Sequence, residues 1–245
     1  MRALLPTQAD DVDLHAFYAA DWLDSGGLRV NFVSSVDGAA QAFGKSAGLQ
    51  TAGDNAVFGA LRDLADVIVA GAGTVTIEGY QAVVVSDERA ETRRNLGLRD
   101  TLPTAVISRS LRLDPASGLF TDAPAQARTI VLTCEAAPAQ RRVALEQVAD
   151  VAVCGGEMVD LTLARAALEE RGLTRILSEG GPTAFAQLAD AGVVDELCLS
   201  FTPMLIGPGP GRITAGSDLW GQQVGLRLVG LLEEDGALFL RYRTG

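Results

Sequence analysis

Four short stretches of this chain carry side chains that could do chemistry. The first, Asn31-Phe32-Val33-Ser34-Ser35-Val36-Asp37-Gly38, sets a hydroxyl, Ser35, and a carboxylate, Asp37, at the mouth of an apolar run. A surface turn closed by Asp-Gly is the plainer use of such residues. The second is Val69-Ala70-Gly71-Ala72-Gly73-Thr74 and the third Leu177-Ser178-Glu179-Gly180-Gly181-Pro182-Thr183. Each follows a predicted strand and precedes a helix. Glycine lets the backbone approach a ligand, and the free N–H groups of the next helix start bind phosphate oxygens. A tight turn with a glycine at positive φ is the structural alternative for either one. The second is not a Rossmann fingerprint, because Thr76 stands where the last glycine of G-x-G-x-x-G belongs, and no Lys-Ser/Thr follows either turn to make a P-loop. Two such turns in one chain favour a dinucleotide held across the C-terminal edge of a parallel sheet. The fourth stretch, Ser108-Arg109 at the end of a strand, pairs a hydroxyl with a guanidinium, which suits a ribose 2′-phosphate.

The elements that must position these residues read as repeated βα units. Strands are expected at Leu28–Ser35, Asp66–Ala70, Thr104–Ser108, Thr129–Thr133, Val151–Cys154, Arg175–Leu177 and Asp195–Thr202. Helices are expected at Asp54–Leu64, with Asp54 as N-cap, at Pro138–Val148, at Leu161–Arg171 closed by Gly172, and at Thr183–Ala191. Gly79–Asp100 is polar and without period, and reads as a mobile loop with at most a helical turn. Pro203–Gly211 reads as a loop, and Leu226–Glu233 with Ala237–Arg241 as a hairpin around Asp235-Gly236. No linker divides the series. The expectation is a single α/β domain with a mostly parallel central sheet, helices on both faces and an antiparallel C-terminal hairpin edge.

Composition narrows the function classes. Hydrophobic residues make up 48% of the 245, enough for a sizeable core. Acidic residues outnumber basic ones by 31 to 20, for a net charge of −11, so nucleic acid and anionic membranes are poor partners. An anionic ligand must then be held by a local cation or by backbone amides. With His15 the one histidine and Cys134, Cys154 and Cys198 scattered through apolar stretches, neither a zinc site nor a Ser–His–Asp triad is expected, and the cysteines read as small core residues. The opening Met-Arg-Ala-Leu-Leu-Pro does not read as a signal peptide, and a cytoplasmic location is expected.

Taken in order, Asn31…Ser-Ser-x-Asp-Gly, Leu61-Arg62, Ala65-Asp66-x-Ile-x-Ala-Gly-x-Gly-Thr, Val106-x-Ser108-Arg109 and Glu179-Gly-Gly-Pro-x-x-x-x-x-Leu188 resemble the reductase domain of the bifunctional deaminase–reductase of riboflavin biosynthesis. That domain belongs to the dihydrofolate-reductase-like superfamily. The resemblance runs from about Leu28 to Gly207 and on through the C-terminal hairpin. Within it the chain is most similar to stand-alone actinobacterial pyrimidine-reductase-like proteins. The deaminase zinc signature, His-x-Glu with Pro-Cys-x-x-Cys, is absent.

The resemblance implies an NADPH-dependent homodimer that reduces 5-amino-6-(5-phosphoribosylamino)uracil to its ribitylamino form. A dihydrofolate or pterin reductase, and an NADPH-binding module without turnover, are the alternatives. It assigns cofactor contacts to Thr74, Glu78, Ser108 and Arg109, and to the turn and helix start of Gly180, Gly181, Pro182, Thr183, Ala184 and Phe185. Val33 and Leu49 correspond to positions lining the nicotinamide. Asn31, Ser35, Arg62 and Glu179 fall on substrate contacts, and Asp37 and Glu179 are the candidate proton donors. The chain departs from the family in several places. Asn31 replaces a Lys of many bacterial members, Ala47 a Ser, and Leu49 a Trp. The Arg that helps hold the ribityl phosphate is missing from Glu78–Val85, with Arg89, Arg93 and Arg94 as candidate substitutes.

Overall fold

The structure, a computed structural model, describes residues 1–216 and 223–245. Ten strands run in chain order: β1 (Arg2–Leu5), β2 (Gly27–Ser35), β3 (Val67–Gly71), β4 (Thr104–Ile107), β5 (Ile130–Thr133), β6 (Asp150–Val153), β7 (Arg175–Ser178), β8 (Glu196–Thr202), β9 (Leu226–Glu234) and β10 (Ala237–Thr244). The chain forms two compact units, Met1–Leu64 with Ser178–Gly245, and Ala65–Leu177. The α/β architecture with parallel pairings and an antiparallel C-terminal edge is the one expected.

In the first unit the strands lie in the order β1-β9-β10-β8-β2. β2 and β8 are parallel, and β8, β10, β9 and β1 pair antiparallel. Asp235 and Gly236 both take positive φ in the β9–β10 turn, as the Asp-Gly signal requires. Registers align side chains in rungs on one face. Val33, Ser200 and Phe239 form one rung, Asn31, Cys198 and Arg241 the next, and Arg29, Glu196 and Arg243 the third. The helix Ala52–Asp63 lies over the first rung. A Cβ on Gly53 would stand 2.7 Å from Cζ of Phe239, so the glycine permits this approach.

Glu196 of the third rung centres a charge cluster in which Arg29 and Arg241 are buried. Arg29 Nε lies 2.7 Å from Glu196 Oε1, Arg241 reaches both carboxylate oxygens at 3.1 and 3.0 Å, and Arg243 Nε lies at 3.5 Å. Arg29 also stacks 4.0 Å over the Trp22 ring. Burial alone would raise the Glu196 pKa, but Arg29 and Arg241 outweigh it and bring it down to about 2.

In the second unit β3, β4, β5 and β6 are parallel throughout, with β7 flanking β3. Ala70, Val106 and Val131 build its core with Leu119, Phe120 and Leu145. Asp66 holds the start of β7, accepting from the amides of Thr174 and Arg175 and pairing with the Arg175 guanidinium at 3.0 Å.

Two expectations about elements need correction. Thr51, not Asp54, caps the helix Ala52–Asp63: its hydroxyl accepts from the Asp54 amide at 3.1 Å. The polar stretch expected as a loop holds a helix, Asp87–Asn95, capped by Ser86 and pinned by Arg93, whose side chain is fully buried. A hydrophobic period could not reveal it, because its inward anchor is a guanidinium donating to the carbonyls of Ala65, Arg99 and Thr101. The N-terminal strand β1 and the helix Leu14–Ala19 had no reading from sequence. His15 faces Asp63 at 3.1 Å, and the three cysteines are free and buried, as expected of core residues.

Candidate active site

In the first unit the turn after β7 is the most constrained part of the site. Glu179 is buried, and both its oxygens receive the Arg62 guanidinium, Nε to Oε1 at 2.7 Å and Nη2 to Oε2 at 2.9 Å. Two parallel charge-assisted bonds fix geometry as well as charge. Arg62 also lies 4.3 Å over the Phe58 ring and keeps 21% of its side chain exposed. The structure thus joins two residues expected only as separate substrate contacts.

Gly180 takes φ +82, and a Cβ there would stand 2.6 Å from Cζ of Phe32. Gly181 has φ −75 and caps the helix Pro182–Asp190, so positive φ belongs to Gly180 alone. Pro182 at the first helical position has no N–H, and Thr183 and Ala184 present first-turn amides with no intrahelical acceptor. Phe185 is bonded within the helix start. Its amide already donates to Gly181 O at 2.9 Å, and its buried ring packs 5.3 Å from that of Phe32. Its role is to seat the helix.

Ser35 and Asp37 are brought together in the turn after β2. The Ser35 hydroxyl donates to Asp37 Oδ1 and accepts from the Ala39 amide at 2.9 Å. The Asp37 carboxylate accepts from the amides of Gly207 at 2.7 Å and Ile206 at 3.0 Å. The Ser35 hydroxyl first, then the Gly207 amide, hold the Asp37 pKa below its ordinary value. Asp37 is a latch for the loop after β8, and Ser35 is part of that turn. Val33 and Leu49 meet in one apolar cluster with Ala42, against which Ile206 packs.

Asn31 lies on β2, and its buried Oδ1 has no hydrogen-bond partner among the described residues. Asp54, expected only as an N-cap, is 4% exposed in the first turn of its helix. The signal was present: Asp54, Val57 and Leu61 share one face by helical spacing, so a carboxylate stands on the apolar face.

In the second unit Thr74 and Glu78 are half-buried on the helix Ala72–Glu78. Neither Gly71 nor Gly73 uses positive φ; space above Gly73, where a Cβ would meet nothing within 4 Å, is what that turn offers. Ser108 is buried, and its oxygen accepts from the Leu111 amide at 3.0 Å. Arg109 is exposed and anchored by Nε to Glu157 O at 3.0 Å. Arg93, a candidate for the missing phosphate ligand, is excluded by its structural bonds. Arg94 is exposed and lies 3.6 Å from Asp100.

Residues 27–235 match the RibD C-terminal domain family, and the chain belongs to it. It is similar to the 2,5-diamino-6-ribosylamino-4(3H)-pyrimidinone 5′-phosphate reductase of Archaeoglobus fulgidus, with 31% identity over 147 residues. That alignment covers 60% of this chain and 66% of the archaeal protein, just under two thirds of its length. Its fold is similar to that of a pyrimidine reductase-like protein from Corynebacterium diphtheriae, with a TM-score of 0.84 and 29% identity over 96% of this chain and 99% of that one. The riboflavin biosynthesis reductase Rib7 of Saccharomyces cerevisiae shares the fold at a TM-score of 0.66, with 18% identity over 90% of each chain.

Proposed function

We propose that this chain is an NADPH-dependent reductase acting on a 5-amino-6-ribosylaminopyrimidine 5′-phosphate, whose ribosyl group it converts to ribityl. Membership of the RibD C-terminal family and the names of its relatives support the substrate class. The observation that carries the reading is the bidentate Arg62–Glu179 pair immediately before the Gly180-Gly181 turn. Both residues match family substrate contacts, and the pair holds them in one fixed arrangement.

Each unit by itself offers groups that suit a phosphorylated ligand. In the first, the helix that starts at Pro182 presents first-turn amides with no intrahelical acceptor, and in the second Gly73 leaves open space above its turn. Arg109 is an exposed cation on a chain of net charge −11, where no general positive field would attract a phosphate. When bound, NADPH supplies the hydride. The chain's own residues bind and orient: Thr183 and Ala184 offer amides to phosphate oxygens, and Ser108 and Arg109 to a 2′-phosphate. Glu179 holds the Arg62 guanidinium in plane, and Asp37 keeps the loop at Ile206 and Gly207 ordered. A cytoplasmic homodimer is part of the same proposal. Among the described residues no helix is long and apolar enough to cross a membrane.

Steady-state oxidation of NADPH tests the reading, with the ribosylaminopyrimidine phosphates in one arm and dihydrofolate in the other. Turnover in the first arm alone is expected. Turnover of dihydrofolate alone would move the assignment to pterin reduction, and binding without turnover in either arm would reduce the chain to a cofactor-binding module.

A further inference from the structure

β4 and β5 pair parallel, so the chain leaves both from the same edge of the second unit's sheet. Ser108-Arg109-Ser110 follows β4, and the helix Ala139–Glu146 follows β5. One side chain joins the two segments: Arg141 Nη1 donates to Ser110 O at 2.9 Å, one residue beyond Arg109. Arg109 itself is tied by Nε to Glu157 O at 3.0 Å. A guanidinium has five N–H donors, and these backbone bonds use one on each arginine.

What these two exposed arginines lack is a counter-ion. Neither makes an ion pair with a carboxylate among the described residues, although acidic residues of the chain outnumber basic ones by 31 to 20. Arg2 and Arg94, also exposed, pair with Glu233 and Asp100. Arg141 stands moreover in the first turn of its helix, where the positive end of the dipole disfavours a cation. The plainer role for Arg141 is to steady the loop after β4 through Ser110. A neutral amide would do that as well, without bringing a second positive charge toward Arg109 against the dipole.

We propose that Arg141 is a second cation of the 2′-phosphate subsite and acts with Arg109 to select NADPH over NADH. The inference rests on the NADPH reading above and adds a residue that none of the sequence motifs contains. Both arginines and both anchoring carbonyls lie in the second unit. The edge where parallel strands end is the one at which a dinucleotide binds. A phosphomonoester carries up to about two negative charges and three acceptor oxygens, more than one guanidinium satisfies. Set between two guanidinium groups, it relieves their repulsion and accepts from both. NADH presents a hydroxyl at the same position and leaves the two cations without an anion.

Adenosine 2′,5′-bisphosphate and AMP carry the adenosine ends of the two cofactors, so calorimetry with these probes needs neither a pyrimidine nor turnover. Wild type should bind the bisphosphate more tightly than AMP. Arg141→Ala should weaken the bisphosphate by roughly tenfold and leave AMP within about twofold, as loss of a charge-assisted bond to the 2′-phosphate predicts. Arg141→Gln keeps a donor for Ser110 O and should lose as much as Arg141→Ala. Arg128→Ala removes a positive charge before β5, at the opposite edge of the sheet, and should change neither affinity. Full bisphosphate affinity in Arg141→Gln would make the residue a loop anchor and overturn the inference. An equal loss in Arg128→Ala overturns it as well, since net charge alone would then explain the effect. Wild type that binds both probes alike sinks the NADPH part of the proposed function and this inference with it. A wild-type preference that survives undiminished in Arg141→Ala sinks the inference alone.

Discussion

Two buried carboxylates in the first unit, Glu196 and Glu179, make the same kind of bond for different ends. Glu196 lies among three guanidinium groups from β2 and β10, of which Arg29 packs against Tyr18 and Trp22 and Arg241 against Tyr18, and its own residue is 2% exposed. Glu179 meets one guanidinium in a bidentate fork, and that partner is partly open to solvent. The first arrangement ties three strands together and is closed to a ligand. The second sits where a strand gives way to a glycine turn and a helix start, and fixes a cation at the surface of the fold. Burial of a charge is therefore a poor guide to function; what counts is how much of its partner stays accessible.

The largest effect that would sharpen this contrast is at Glu196. Glu196→Ala leaves Arg29 and Arg241 buried without their counter-ion and should cost about 3–5 kcal/mol in urea unfolding. The pH dependence has a definite sign. A carboxyl whose folded pKa is depressed from 4.5 to about 2 contributes stability that is complete above pH 4.5 and is lost as pH falls toward 2. The wild type should lose about 3 kcal/mol across that window, and Glu196→Gln should show no such loss. An equal acid dependence in the two proteins would break the closed half of the comparison.

Gly180→Ala comes next. The new methyl would meet Phe32 and impose positive φ on an alanine, for a cost of ~2 kcal/mol in the urea midpoint. A neutral substitution would mean that the turn is looser than its geometry. Arg109→Ala should weaken NADPH by roughly tenfold or more and barely change NADH, the signature of a guanidinium on the 2′-phosphate. An unchanged ratio of the two dissociation constants would make Arg109 a solvated surface residue. The smallest effect is expected at Asp37. Asp37→Ala should leave global stability near wild type and speed hydrogen exchange at the Ile206 and Gly207 amides, the two donors that its carboxylate now accepts from. Unchanged exchange there would remove the latch.

Much of the fold was legible because alternating apolar runs and glycine or Asp-Gly signals mark strands and turns directly. β2, β8 and the β9–β10 hairpin were read within a few residues of their observed bounds. The misses share a physical cause: polar residues facing inward. Arg93 anchors the helix Asp87–Asn95 through carbonyls, and Asp54 occupies a core-facing helical position, so a rule that equates inward with apolar passes over both. At the candidate site, the motif Ser-x-Asp-Gly located the turn, but not that its carboxylate accepts from the backbone amides of the loop after β8. Pairings between residues 117 positions apart, such as Arg62 with Glu179, leave no local pattern to read.

We propose that Glu179 serves the reaction and Glu196 the fold. Glu179→Gln and Glu196→Gln are isosteric, and each removes one charge. At pH 7, kcat for NADPH oxidation with the ribosylaminopyrimidine phosphate and the urea midpoint should be measured on both. Glu179→Gln should lower kcat by at least roughly tenfold, the loss of one charged hydrogen bond, with a midpoint close to wild type. Glu196→Gln should lower the midpoint strongly while the protein that remains folded keeps kcat near wild type. A Glu179→Gln protein with full turnover, or a Glu196→Gln protein with undiminished stability, would contradict the account.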